Sequence, residues 1–123
     1  MPHVVLEHSA NVPDRPDLRR VLLDLHHALA ATGLCELRDV KSRAVPHGVT
    51  AVADGAEDRS FVAASVAILD GRTDEEKGRL ADAVFAVLTG AFPLLVAGGR
   101  GSLSVEVRDL HRASYRRVRA GAG

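Results

Sequence analysis

Four residues carry most of the chemistry this chain can offer: Pro2, Lys41, Arg43 and Arg72. Inside a chain a proline nitrogen has no N–H and no basicity. At a free N-terminus the same ring is a rigid secondary amine. Small second residues favour removal of the initiator Met1, so Pro2 is the expected mature terminus, at the mouth of the strand pattern His3-Val4-Val5-Leu6-Glu7-His8. Withdrawn from water and set among cations, such an amine loses affinity for its proton and becomes a general base near neutral pH. Lys41 and Arg43 stand two apart, so on a strand they project from one face. Taken alone, two such basic residues are more commonly an ordinary solvated strand face or edge. Arg72 lies where a strand ends and a helix opens, in Leu69-Asp70-Gly71-Arg72-Thr73-Asp74-Glu75-Glu76-Lys77. There a guanidinium and the first helical N–H groups can bind an anion together. A surface arginine paired with Asp74 or Glu75 is the plainer alternative.

The other reactive side chains lack partners. None of the six histidines, His3, His8, His26, His27, His47 and His111, pairs with acids at metal-ligand spacing, and they read as surface or interface residues. Cys35 is alone, so no intrachain disulfide forms and a reducing, cytoplasmic compartment is expected. It reads as a small buried or loop residue rather than a nucleophile. The Gly98–Gly101 stretch has no Lys-Ser/Thr after it and is no phosphate loop. Arg112, Arg116, Arg117 and Arg119 form a basic tail. With 16 basic against 16 acidic residues and only 3% aromatics, a solvated tail is favoured over a nucleic-acid grip. Charges within the first thirty residues leave no signal-peptide core, and no run is long enough to span a bilayer.

The elements that must position these residues follow from the apolar periodicity. Residues 3–8 read as a buried strand. Asp14 is the expected N-cap of a helix with Pro16 in its first turn, and Leu18, Val21, Leu22, Leu25 and Leu29 form its apolar face up to Gly33. A second strand is expected over Leu37–Val45. Residues 46–60 read as a loop with a short hairpin arm at Val49–Val52. The order then repeats. Phe61–Leu69 is a strand, and Thr73 and Glu76 form a capping box for a helix with Leu80, Val84, Val87 and Leu88 inside and Gly90 as its stop. After Gly98–Gly101 comes a strand with Leu103, Val105 and Val107 alternating against Ser104, Glu106 and Arg108.

The 123 residues thus read as one α/β (α+β) domain over 1–115, with pseudo-repeats at about 2–45 and 61–110 and a basic, flexible tail at 116–123. Two β-α-β units make a four-stranded mixed sheet with both helices on one face. An offset of 60 residues sets Pro2 on Val62 and Asp14 on Asp74, as a duplicated unit would. The uncovered face, expected to include Val62, Ser65 and Val105, calls for self-association.

Several pieces in order resemble a known family. Ile68-Leu69-Asp70-Gly71-Arg72-Thr73-Asp74-Glu75-Glu76-Lys77 is similar to the signature after the first strand of 4-oxalocrotonate tautomerase, where an arginine binds the substrate carboxylate. Met1-Pro2-His3 with Glu7 and Ser9, Ala30-Ala31-Thr32-Gly33, Ser42-Arg43, Ala53-Asp54-Gly55, Phe61-Val62, Gly71-Arg72 and Leu103-Ser104-Val105-Glu106 together resemble the 5-carboxymethyl-2-hydroxymuconate Δ-isomerase family. The resemblance runs from residue 2 to about 115. It implies a cofactor-independent N-terminal proline tautomerase, assembled as a trimer and acting on a small unsaturated 2-hydroxy or 2-oxo diacid. By position Pro2 matches the catalytic base and Arg72 a substrate-binding arginine. Lys41 stands where the family has its other functional arginine, and Arg43 belongs to the matching Ser-Arg pair. Lysine keeps the charge but loses the planar two-pronged grip. Two alternatives stay open: the same Pro2 used for dehalogenation, hydration or decarboxylation, and a non-catalytic ferredoxin-like binding module.

Overall fold

Burial alternates along the longest strand: Ser60, Val62, Ala64, Val66 and Ile68 are buried, and the residues between them are half-exposed. That period of two marks a strand with one face on a core. The computed structural model, which describes residues 1–119, builds this strand into the middle of a four-stranded sheet. In chain order the elements are β1 (His3–Ser9), α1 (Leu18–Ala31), β2 (Lys41–His47), β3 (Ser60–Leu69), α2 (Asp74–Ala91), a short α3 (Pro93–Gly98) and β4 (Gly101–Leu110). The sheet order is β2-β1-β3-β4. β1 pairs β2 in parallel and β3 pairs β4 in parallel, while β1 and β3 run antiparallel at the centre. The sheet is therefore mixed, as expected, with two β-α-β units joined along their first strands.

The core lies between the sheet and the helices. Val4 and Leu6 of β1 and Val62 and Val66 of β3 meet Val21, Leu25 and Leu29 of α1 and Leu80, Val84 and Leu88 of α2. Each such residue contributes roughly 1.5–3 kcal/mol by leaving water. The α2 start is capped as its sequence requires: Thr73 Oγ1 accepts from Glu76 N at 3.1 Å, and Glu76 Oε1 accepts from Thr73 N at 3.0 Å.

Several boundaries differ from expectation, each for a local reason. α1 is capped by Asp17, whose carboxylate accepts from Arg20 N at 3.3 Å. Pro16 pushes Arg15 away from helical backbone, so the helix cannot open before it. Asp14 instead serves α3, accepting from Leu94 N and Leu95 N at 2.9 Å each. With α1 opening at Leu18 and α2 at Asp74, the helix starts do not coincide at the 60-residue offset. β2 begins at Lys41 because its partner β1 begins at His3, opposite Lys41; Leu37–Asp39 curl into a 3-10 turn. Residues 49–52 form no hairpin arm, and Val49 is fully exposed. Gly90 does not stop α2. The break comes at Phe92, with φ −124° and ψ 57°, because a residue before proline avoids helical backbone.

The second face of the sheet carries no helix. It presents Val5, Phe61, Ala63, Ser65 and Ala67 in the middle, with Lys41 and Arg43 at one edge and Glu106 and Arg108 at the other. Val62 and Val105 do not belong to it: side-chain alternation turns both toward the helices, and Val62 is wholly buried. Among the described residues no helix is long and apolar enough to cross a membrane.

Candidate active site

Antiparallel pairing of β1 with β3 sets the start of one strand beside the end of the other, with His3 opposite Ala67. Pro2 therefore meets the turn that follows β3. At this end of the sheet lies a cavity of about 520 Å³, whose walls include Pro2, Cys35, Asp39, Arg72, Arg112 and the pair Arg117 and Arg119.

Pro2 is fully buried, and its carbonyl accepts from Lys41 N at 3.1 Å, the bond that aligns β1 with β2. Beyond it, the Met1 amine donates to Asp39 O at 2.9 Å. Burial holds that terminal amine below its ordinary pKa, and Lys41 acts in the same direction. Asp39 opposes them, and Arg117 reinforces them. A cationic amine is thus disfavoured at the Met1 nitrogen.

Arg72 is delivered by a turn that only glycine accepts comfortably, since Gly71 has φ +115°. Its guanidinium donates to Leu34 O at 2.6 Å and pairs with Glu76 at 3.3 Å. Glu76, not Asp74 or Glu75, is therefore its partner. The Thr73 backbone N–H holds the Glu76 carboxyl below its usual range, aided by Arg72. Arg112 closes the same side, donating to Asp70 O at 2.8 Å and pairing with the Asp70 carboxylate at 3.3 Å.

Also lining the cavity, Arg117 and Arg119 both donate to Asp39 Oδ1, at 3.1 and 2.5 Å. Burial alone would raise the Asp39 pKa; hydrogen bonds from the two arginines outweigh it and hold the carboxyl below its ordinary value. Cys35 sits in the same wall, and burial pushes its thiol up, so the group stays protonated and weakly nucleophilic at neutral pH.

The structure thus brings Pro2 and Arg72 together in one cavity. It does not bring Lys41 or Arg43 into its walls. Both are exposed on β2, on the uncovered face, where His3 lies opposite Lys41. Burial, followed by Lys41, holds the His3 pKa low, with Arg43 contributing less. The residues that sequence reasoning passed over are Asp39, Arg112, Arg117 and Arg119. Among the described residues Arg116 donates to the Ala113 and Tyr115 carbonyls, and residues 120–123 of the expected flexible tail lie outside the described residues. The available signal was Arg117 and Arg119 standing two apart, which in extended chain aims both the same way. Among the described residues no three His, Cys, Asp or Glu side chains converge as a metal site requires.

The chain is similar to several known proteins of related names. The family model CHMI, 5-carboxymethyl-2-hydroxymuconate isomerase, matches residues 2–119. A 5-carboxymethyl-2-hydroxymuconate Delta-isomerase from Escherichia coli is 30% identical over 111 residues, which are 90% of this chain and 88% of that protein. The crystal structure of a 5-carboxymethyl-2-hydroxymuconate isomerase from Deinococcus radiodurans R1 superposes with a TM-score of 0.85 at 31% identity, covering 95% of this chain and 88% of that one. A wild-type fused 4-OT, a symmetric trimer, shares the fold with a TM-score of 0.74 at 17% identity over 97% of this chain and 93% of its own.

Proposed function

The chain belongs to the 5-carboxymethyl-2-hydroxymuconate isomerase family and is an isomerase, and on that premise we propose that Pro2, once Met1 is removed, is the base that moves the proton. The substrate is a small unsaturated 2-hydroxy or 2-oxo diacid of the kind the E. coli relative is named for. Family membership does not favour the alternatives, other proline chemistry or a non-catalytic binding module.

Pro2 and Arg72 sharing one cavity is the observation that carries this reading. Arg72 holds a substrate carboxylate at the turn before α2. The neutral Pro2 nitrogen takes the proton of the enol hydroxyl. The C–O bond gains double-bond character as the adjacent double bond shifts along the chain, and the electron pair released at the far carbon takes the proton back from Pro2. The product is the conjugated 2-oxo acid, and no cofactor enters the balance. Lys41 keeps the amine uncharged through its field and, with Arg43, steadies charge developing on oxygen. Both stand on the uncovered face, so they reach a cavity most directly through self-association of that face. A homotrimer in the cytoplasm is the assembly we propose, supported by the half-apolar sheet face, by the trimeric fused 4-OT of the same fold, and by a lone Cys35 that a reducing compartment keeps free.

Intact mass establishes whether Met1 is absent. Pro2→Ala is expected to lower kcat roughly 10²–10⁴-fold, the usual contribution of a positioned base. Full activity in that variant, or in protein retaining Met1, ends the proposal.

A further inference from the structure

We infer that Arg117 and Arg119 are the seat of the substrate's second carboxylate, and that Asp39 holds this seat while the site is empty. The inference rests on the isomerase reading and adds to it the element that selects a diacid.

The charges around the cavity are nearly matched, and the exception is informative. Arg38 pairs with Glu36 at 2.9 Å, Arg72 with Glu76 at 3.3 Å and Arg112 with Asp70 at 3.3 Å. Asp39, the remaining acid of the wall, takes two guanidinium groups, Arg117 at 3.1 Å and Arg119 at 2.5 Å. Among the described residues lining the cavity, the unmatched positive charge therefore sits in this pair.

The geometry of the pair is that of an occupied but incomplete anion site. Both arginines converge on one oxygen, Asp39 Oδ1, each through a single nitrogen. A guanidinium has five N–H groups in a planar fork and binds carboxylate best through two parallel bonds. Each arginine thus retains donors that Asp39 does not engage. An entering carboxylate can take those free donors, so that two guanidinium groups then face two carboxylates, the substrate's and that of Asp39.

The segment is held in place. Tyr115 Oη lies 3.0 Å from His3 Nε2, and Arg112 is bonded to Asp70 through both its backbone and its side chain. The pair consequently faces the cavity from a fixed base, with side chains 34% and 39% exposed around an Asp39 side chain that is 14% exposed. Arg72 and the pair Arg117 and Arg119 line the same cavity as Pro2, so the cavity offers a second cationic position beside Arg72, as the two ends of a diacid require.

Kinetics on a diacid, 2-hydroxymuconate, and a monoacid, enolised phenylpyruvate, test this in the parent, in Arg117→Ala/Arg119→Ala and in Asp39→Asn. The double variant is expected to lose roughly 10–100-fold in kcat/KM on the diacid, mostly through KM, and less than about threefold on the monoacid. Asp39→Asn releases both guanidinium groups and is expected to lower KM for the diacid. Arg117→Lys/Arg119→Lys is expected to keep part of what the alanine double variant loses. A merely structural clasp would suffer alike from either change and on both substrates. Equal losses on the two substrates, a double variant that keeps its diacid KM, or an Asp39→Asn variant that copies the double variant overturns the seat while leaving the Pro2 reading intact. A parent that turns over neither substrate, or a Pro2→Ala variant at full rate, overturns the isomerase reading and the seat with it.

Discussion

Replacing Arg72 by alanine separates the brace that the structure shows from the substrate contact we propose for the same guanidinium. As a brace it donates to Leu34 O at 2.6 Å and pairs with Glu76 at 3.3 Å, linking the chain after α1 to the start of α2. The hydrogen bond is worth about 1 kcal/mol net. The ion pair is of the i,i+4 kind, with side chains 41% and 30% exposed, and adds only about 0.3–0.5 kcal/mol. Stability should therefore fall by about 1–1.5 kcal/mol, a drop in Tm of roughly 4–6 °C for a domain of this size. As a substrate ligand the same group makes a charge-assisted contact worth about 1.5–3 kcal/mol, so kcat/KM should fall roughly 10–150-fold. The two effects are read apart by measuring turnover of the enol substrate at a temperature well below both Tm values. Arg72→Lys should recover part of the activity and little of the brace, because ammonium keeps the charge without the fork. An Arg72→Ala variant that shows the Tm shift yet keeps kcat/KM within threefold would reduce Arg72 to a surface brace and refute its place in substrate binding.

Removing the Asp14 side chain (Asp14→Ala) leaves Leu94 N and Leu95 N without acceptors at the start of α3, so the urea midpoint should fall by an amount equivalent to about 2–3 kcal/mol with an unchanged slope, Asp14→Asn recovering part of it. Stability should also rise with pH from about 5 toward 7, seen as increasing urea midpoints. His3 and His26 both have pKa values lowered in the folded state, chiefly by burial, so the unfolded chain binds more protons in that window. A midpoint that is flat or falls across this range would contradict the burial of those groups. Below pH 4 a further loss should follow as Asp39, Asp54, Asp58 and Glu76, whose folded pKa values are lowered, take up protons.

Much of the fold was legible because local signals and global packing agreed. The Thr73/Glu76 capping box, the apolar, β-branched run of β3 and the apolar stripes of both helices each marked one element, although which face of β3 is buried was not among the things they marked. What misled were signals whose meaning depends on distant residues. Asp14 carries the chemistry of an N-cap, but its helix is α3, eighty residues on, and nothing near it in sequence says so. Strand β2 looked longer than it is because Leu37 and Val40 suit a strand, while its length is set by where β1 begins. The site was half legible for the same reason. Pro2 and Arg72 are marked by a chain end and by a strand-to-helix turn, both local. Arg117 and Arg119 are marked only by Asp39, and an arginine-rich stretch near a chain end reads as solvated until the acid it grips is placed.

The two halves share a topology without sharing a chemistry, and chain direction is the reason. β1 and β3 are antiparallel, so each half sets a strand start at an opposite end of the sheet. At one end that start is the beginning of the chain, where a nitrogen can be a free amine. At the other it is Ser60-Phe61-Val62, in mid-chain: the Phe61 N–H donates to Ser9 Oγ at 3.0 Å and Val62 is wholly buried. An amide nitrogen there has no basicity to tune, whatever surrounds it. A smaller cavity of about 210 Å³ does lie at that end, walled by His8, Val12, Pro46 and Phe92. Its acid, Asp14, is committed to holding α3 rather than to pairing with excess arginines. Among the described residues, the strand start at that end therefore offers no counterpart to the amine we propose for Pro2, and the space around it is packed as structure.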